Sequence, residues 1–217
     1  MSISAADVKK LREMTGAGMM DCKKALTEAG GDQEKAIEVL RKMGLKNVGK
    51  RSGKVAAEGY VGMYLHAGGQ VAAMVELNCE TDFVARGDDF QNTAKGIAMH
   101  IAAMKPDYLD EESVPEAIIA KEKEIVLESL NEQQKDKADK IIPGKMRKFY
   151  EENCLLNQMY IKDESGKQSI LQLTQDLSAK VGEKVTVRRY MVFEVGEGIE
   201  KEVVDLAADV QATIAGA

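Results

Sequence analysis

Nowhere in the 217 residues does an apolar run approach the roughly 18 positions that a membrane-spanning helix requires. The opening stretch, MSISAADVKKLREM, also lacks the continuous apolar segment of a secretory signal, so a cytoplasmic location without membrane association is expected. Cysteine is sparse. Cys22, Cys79 and Cys154 are odd in number, far apart and in no C-x-x-C pair, which argues against a disulfide framework or a zinc site and for reduced, partly buried thiols. Histidine occurs twice, and neither His66 nor His100 falls in H-E-x-x-H or in a cysteine–histidine ligand set. No G-x-S-x-G is present, and the carboxylates are dispersed over helical surfaces rather than paired in an apolar setting. Hence no catalytic residue, metal ligand or cofactor is assigned. His66, near a hairpin turn, reads as a polar surface contact and His100, in mid-helix, as structural.

Nucleotide-binding loops are missing as well. A Walker A loop needs G-x-x-x-x-G-K followed by Ser or Thr, because the lysine must reach the terminal phosphates and the hydroxyl must hold magnesium. Gly49 lies one position too close to Gly53, and Val55 follows Lys54. The pair Gly16 and Gly18 has no preceding strand and no third glycine, so a dinucleotide fingerprint fails too.

What is present is a globular composition, 44% apolar and 30% charged, suited to one moderate core and a small accessory module. The net charge of −6 is unevenly spread. Residues 1–54 hold twelve Lys/Arg against seven Asp/Glu, a net of +5, and the remainder holds eighteen against twenty-nine, a net of −11. The basic segment suits an acidic protein surface. Direct nucleic-acid binding is not expected, since that segment has no aromatic side chain for base stacking and the whole chain is acidic.

Periodicity divides the chain. Residues 1–45 read as three short helices, with Ser4 as the first N-cap, Val8 and Leu11 as the first stripe, and Cys22, Ala25, Leu26 and Ala29 as the second. In the third, Ala36, Ile37, Leu40 and Met43 form the inner face. So small a module buries little surface and suits docking. Met19 and Met20, placed in the loop before the second helix, cannot both face one core, which leaves at least one for a partner. Residues 46–56 read as a basic, glycine-punctuated linker. Residues 57–196 form the core domain, beginning with a hairpin that alternates from Glu58 and turns at Ala67–Gly69. Phe90, Ala94, Ile97, Ile101 and Met104 then repeat at helical spacing. A helix after Pro115 places Ile118, Ile119, Ile125, Val126 and Leu130 inside, and another resumes at Lys145 after a break at Pro143-Gly144. Strands are expected over 158–161 and 184–195, with Val185, Val187, Arg189, Met191, Phe193 and Val195 on one face and a helix over 171–181 between them. Residues 197–217 carry a stripe from Val203 to Ile214 that reads as a C-terminal helix.

The fold class is therefore α+β: three N-terminal helices, an antiparallel three-stranded sheet packed with helices, and a C-terminal helix. A sheet of three strands rarely covers both its faces alone, and this hairpin is apolar on both sides. Two arrangements are open, a homodimer packing sheet on sheet across a two-fold axis and a compact monomer with helices over the sheet.

One segment stands apart. Val75–Val84, VELNCETDFV, ends an apolar strand pattern in an aspartate beside a phenylalanine, just ahead of Gly87 and a helix. Read on its own, the segment has two accounts. Asp82 and Phe83 form a tip presented to a partner, or Phe83 turns back into the core with Asp82 as a first-turn helix residue.

LREMTGAGMMDCKKAL (11–26) and ELNCETDFVAR (76–86) resemble the two signatures of the bacterial elongation factor Ts family, and the likeness continues through FQNTAKGIAMHIAAMKP and VRRYMVFEVGEGIEK. The resemblance implies a guanine-nucleotide exchange factor for elongation factor Tu, in its GDP-bound and nucleotide-free forms, and not an enzyme in the covalent sense. It implies that the N-terminal module is like a ubiquitin-associated domain and docks on the GTPase domain through positions matching Arg12, Met19 and Met20. It further implies that Thr81, Asp82, Phe83 and Val84 insert near the magnesium site and help displace the ion, and that His66 faces another part of the partner. The single hairpin marks the short form of the family, and two paired copies would supply Phe83 from one and His66 from the other.

Overall fold

The computed structural model describes residues 3–15, 17–51 and 53–199. The expected C-terminal helical segment lies outside these from residue 200 onward. In chain order the elements are α1 (Ala5–Thr15), α2 (Met19–Glu28), α3 (Gln33–Arg51), β1 (Glu58–Leu65), β2 (Val71–Cys79), α4 (Asp82–Ala85), α5 (Asp88–Met104), α6 (Glu116–Glu128), α7 (Glu132–Lys135), α8 (Ala138–Asn153), α9 (Ile170–Val181) and β3 (Thr186–Glu194). This is an α+β fold, with the antiparallel strands in the order β1-β2-β3.

The N-terminal helices close on their own small core. Ser4 opens α1 with a reciprocal cap, its hydroxyl accepting from the Asp7 N–H at 3.1 Å while the Asp7 carboxylate accepts from the Ser4 N–H at 3.2 Å. Val8, Leu11, Cys22, Ala25, Leu26 and Ala36 are buried together. Ile37 does not join them. Val39 packs there instead, and Ile37 lines a cleft against α9 with Leu40 and Met43. Helix α3 also runs to Arg51, so residues 46–51 of the expected 46–56 linker are helical. Two glycines in a helix cost about 1 kcal/mol each relative to alanine, and no proline intervenes to stop it. Docking on α9 favours the extension: Gly44 sits so near that helix that an added Cβ would lie 2.9 Å from the Ala179 Cβ.

The main core lies on one side of the sheet. Ala73, Val75, Leu77 and Cys79 project from β2 onto Phe90, Ala94, Ile97 and Ile101 of α5 and onto Ile170 and Leu177 of α9. The expected single face of β3 does not hold. Opposite Glu76 and Leu77 the register skips a residue, pairing Glu76 with Arg189 but Leu77 with Val187. A bulge of one residue reverses the side of every residue beyond it. Val185 and Val187 therefore face the core before the bulge and Tyr190 and Val192 after it, leaving Arg189, Met191 and Phe193 outside.

Three further expectations differ. No strand spans 158–161; a 3-10 turn at Leu155–Asn157 leads to an isolated bridge between Met159 and Ser169. The Ile161 N–H there donates to His100 Nδ1 at 3.2 Å, so a side chain takes a bond a strand would have needed. Helix α8 is continuous through Pro143. The proline forgoes the bond to the Asp139 carbonyl, and the helix is held by packing on α6 that buries Met146 and Val126. Ile118 and Ile125, expected inside, lie exposed on α6.

Candidate partner-binding site

Strand β2 delivers the chain to the tip and one turn of helix sets its side chains. Thr81, extended at φ −128°, is the N-cap of α4, its hydroxyl accepting from the Val84 N–H at 3.4 Å. Over a single turn the four residues divide by side. Asp82 and Phe83 point outward, with Phe83 84% exposed, whereas Val84 packs against the core and Ala85 is buried. Val84 thus anchors the tip to the core while staying partly exposed. The Arg86 guanidinium donates to the Asp82 carboxylate at 2.8 Å, but both side chains are largely exposed. A pair in that setting contributes only a few tenths of a kcal/mol and leaves Asp82 available as an anion.

The base of the tip is tied to a distant loop. Glu183 Oε2 accepts from the N–H groups of Glu80 and Thr81, each at 3.0 Å, and its Oε1 accepts from the Thr81 hydroxyl at 2.7 Å. In return the Glu80 carboxylate accepts from the Lys184 N–H at 2.7 Å. Below them the Cys79 thiol donates to the Thr81 carbonyl at 3.1 Å. Burial, reinforced by the Glu183 charge, pushes that thiol up to about 11, so it stays protonated and donating at neutral pH.

His66 stands at the other end of the same hairpin, exposed, with Nδ1 3.1 Å from the Tyr64 hydroxyl. Eight strand residues at about 3.4 Å each separate the two ends by roughly 27 Å. Arg12 is exposed on the last turn of α1, and Met19 and Met20 are exposed as the first two residues of α2, not as loop residues. The structure therefore does not gather the expected contact residues into one pocket. It distributes them over three presentations: the N-terminal module, the tip and the hairpin turn.

A fourth surface was only partly legible in advance. On the outer side of the sheet the registers align Met63, Met74 and Met191 in one row and Leu65, Ala72 and Phe193 in the next. Met63, Met191 and Phe193 are more than half exposed and Met74, on the central strand, is 37% exposed. Beside these rows Arg188 and Arg189 donate to the two Glu76 oxygens at 2.9 and 2.6 Å. Between α3 and α9 lies a cleft of about 470 Å³, lined by Asp21, Ile37, Leu40, Arg41, Asp176 and Lys180 among others, with no histidine or cysteine. Among the described residues no three His, Cys, Asp or Glu side chains converge as a metal site, and no helix is long and apolar enough to cross a membrane.

Residues 4–197 match the family model described as Elongation factor TS. The chain belongs to the elongation factor Ts family. Similar proteins named Elongation factor Ts come from Moorella thermoacetica, 56% identical over 91% of this chain and 97% of the relative, and from Desulforamulus reducens, 53% identical over 98% of each. Another, from Geobacter metallireducens, is 50% identical over 98% of each chain.

Proposed function

We propose that this chain is a guanine-nucleotide exchange factor for elongation factor Tu, acting in the cytoplasm during translation elongation. It catalyses no covalent step. The observation that carries the mechanism is Phe83, 84% exposed at the head of a braced turn beside an exposed carboxylate. An aromatic ring held in water next to an anion suits insertion into a partner. Asp82 and Phe83 enter near the magnesium and phosphate site of the GTPase, Thr81 and Val84 hold the turn, and the ion and then GDP are released. Arg12, Met19 and Met20 of the first module dock on the GTPase domain, and His66 meets the partner elsewhere.

The energetics follow from reciprocity. A factor that binds the nucleotide-free partner more tightly than the GDP-bound form weakens GDP by the same ratio. A shift of about 10⁴-fold needs about 5.5 kcal/mol of differential contact. Burying Phe83 supplies roughly 1.5 to 3 kcal/mol, and an anion near the phosphates adds repulsion. The tip alone falls short, so the N-terminal module contributes by docking.

The outer sheet face supports a homodimer. Its rows of methionine, leucine and phenylalanine form a contiguous apolar surface, and a second copy across a two-fold axis covers it sheet on sheet. In such a pair the tip of one copy and His66 of the other serve one partner molecule, which reconciles the separation of the two along a single hairpin. The division of labour is then residues 1–45 for docking and 57–196 for the tip and dimer face.

Release of fluorescent GDP from purified elongation factor Tu tests the mechanism. Phe83→Ala and Asp82→Ala should each slow factor-stimulated release by at least about tenfold, the loss of about 1.4 kcal/mol of differential contact. Both variants releasing GDP at the wild-type rate would refute tip insertion.

A further inference from the structure

We propose that Glu183 is a positioning residue for nucleotide exchange, its carboxylate fixing the direction in which Phe83 and Asp82 leave the sheet. The inference rests on the tip-insertion reading above. Glu183 comes 102 residues after Thr81 in the chain, yet its two oxygens take three hydrogen bonds from the two residues that precede the tip. Thr81 relays that grip. The same hydroxyl that donates to Glu183 accepts from the Val84 N–H, so the carboxylate sets the orientation of the N-cap on which the turn is built.

Glu183 is itself held. Gly182 ends α9 in the left-handed region at φ 76°, a conformation glycine adopts without steric cost, and its N–H donates to the Ser178 carbonyl. The Ser178 hydroxyl donates to the Glu183 carbonyl. The Glu80 carboxylate closes the bracket by accepting from Lys184 N–H. A four-residue helix has too few internal bonds to keep an exposed aromatic ring in one direction by itself. The bracket transfers the rigidity of α9 and β3 to it. Bonds of N–H and O–H groups to a carboxylate are among the stronger hydrogen bonds, which suits a strut that must survive contact with a partner.

The role separates from simple stabilisation through coupling. A residue that acts through the tip loses its effect once the tip is removed, whereas a residue acting elsewhere does not. Stopped-flow release of fluorescent GDP is measured against concentration of full-length wild type, Glu183→Ala, Glu183→Gln, Phe83→Ala and the double variant Phe83→Ala/Glu183→Ala. Glu183→Ala should lower the saturating release rate by about tenfold and change the half-saturating concentration by less than about threefold. Glu183→Gln, which keeps one accepting oxygen and the length of the side chain, should recover most of the rate. The double variant should be no slower than Phe83→Ala.

A wild-type saturating rate for Glu183→Ala, with Phe83→Ala slow, overturns the inference and leaves the tip mechanism standing. So does a double variant slowed by the full product of the two single effects. A wild-type rate for Phe83→Ala removes the tip mechanism, and the inference with it. Should Glu183→Ala fail to fold, Thr81→Val replaces it in the same cycle, since it removes the relaying hydroxyl at nearly constant volume, and the same two outcomes decide.

Discussion

The two faces of the β1–β2–β3 sheet come from the same strands and meet opposite circumstances. Inside, Ala73, Val75, Leu77 and Cys79 are small or branched and are closed over by α5 and α9. Outside, the corresponding rows are Met63–Met74–Met191 and Leu65–Ala72–Phe193, and no helix covers them among the described residues. The inner face is a permanent interior with a fixed shape. Methionine is flexible and polarizable, and it adapts to a surface that must also survive in water. The difference teaches that burial alone does not define the apolar surfaces of this fold. One face stabilises the chain, and the other stays exposed, as the surface on which the proposed homodimer would form.

The largest effect expected from attacking this contrast lies inside. Phe90 is 1% exposed and packs at the centre of the main core. Phe90→Ala removes a buried ring and leaves a cavity, a change that costs about 3–5 kcal/mol. Urea unfolding at fixed chain concentration should show a midpoint lowered accordingly. A loss below about 1 kcal/mol would mean that the inner face is not the main source of subunit stability.

The outer face should answer differently. Met74→Lys places an ammonium in the middle of the central row, where the unassembled chain leaves it hydrated and a sheet-on-sheet dimer buries it twice. Subunit stability should change by no more than about 0.5 kcal/mol, as for other surface substitutions. Dimer dissociation should be favoured at least about a hundredfold, near 2.7 kcal/mol, because an unpaired buried charge is costly. Sedimentation equilibrium reads the second effect directly. If Met74→Lys associates as the wild type does, this face is not where two copies meet.

Much of this contrast could be read from the residues. Alternation through β1 and β2 signalled a hairpin apolar on both sides, and the period-3.6 repeat from Phe90 to Ile101 identified α5. The aspartate–phenylalanine pair at the end of β2 singled out the segment but left presentation and core packing both open, and the fold leaves Phe83 exposed. Other features left no local trace. Arg188 and Arg189 look like ordinary strand residues, so nothing announced the bulge that turns Met191 and Phe193 outward. Glu183 carries no motif, and its bond to Thr81 exists only because α9 and β2 end beside one another. Helix α3 passed its expected end through docking on α9, a tertiary effect invisible to local propensity. Ile118 and Ile125 share helical spacing with the buried positions of α6 but lie on its open side.

Acid should separate the two sides of the sheet once more, by a smaller amount. On the inner side His100 is fully buried, and Nδ1 accepts from the Ile161 N–H while Nε2 lies 3.0 Å from Gln158 Oε1. The neutral tautomer with Nε2–H satisfies both contacts; the imidazolium would set two donors against each other at Nδ1. Burial lowers the His100 pKa below 6.5, partly opposed by the bond to Gln158. Below 6.5 the unfolded chain takes up a proton that the folded chain refuses. The His100 contribution is therefore complete above 6.5 and is lost as pH falls toward the folded value, with a slope of at most about 1.4 kcal/mol per pH unit. On the outer side Glu76 is held below its ordinary 4.5 by Arg188 and then Arg189, so its contribution persists above 4.5 and fades only as pH falls through the lower folded value. Urea midpoints should decline in two stages, and His100→Gln should flatten the first while leaving the second. A wild-type profile that stays level from about pH 7 to about pH 5 would show that His100 is protonated as readily in the fold as outside it.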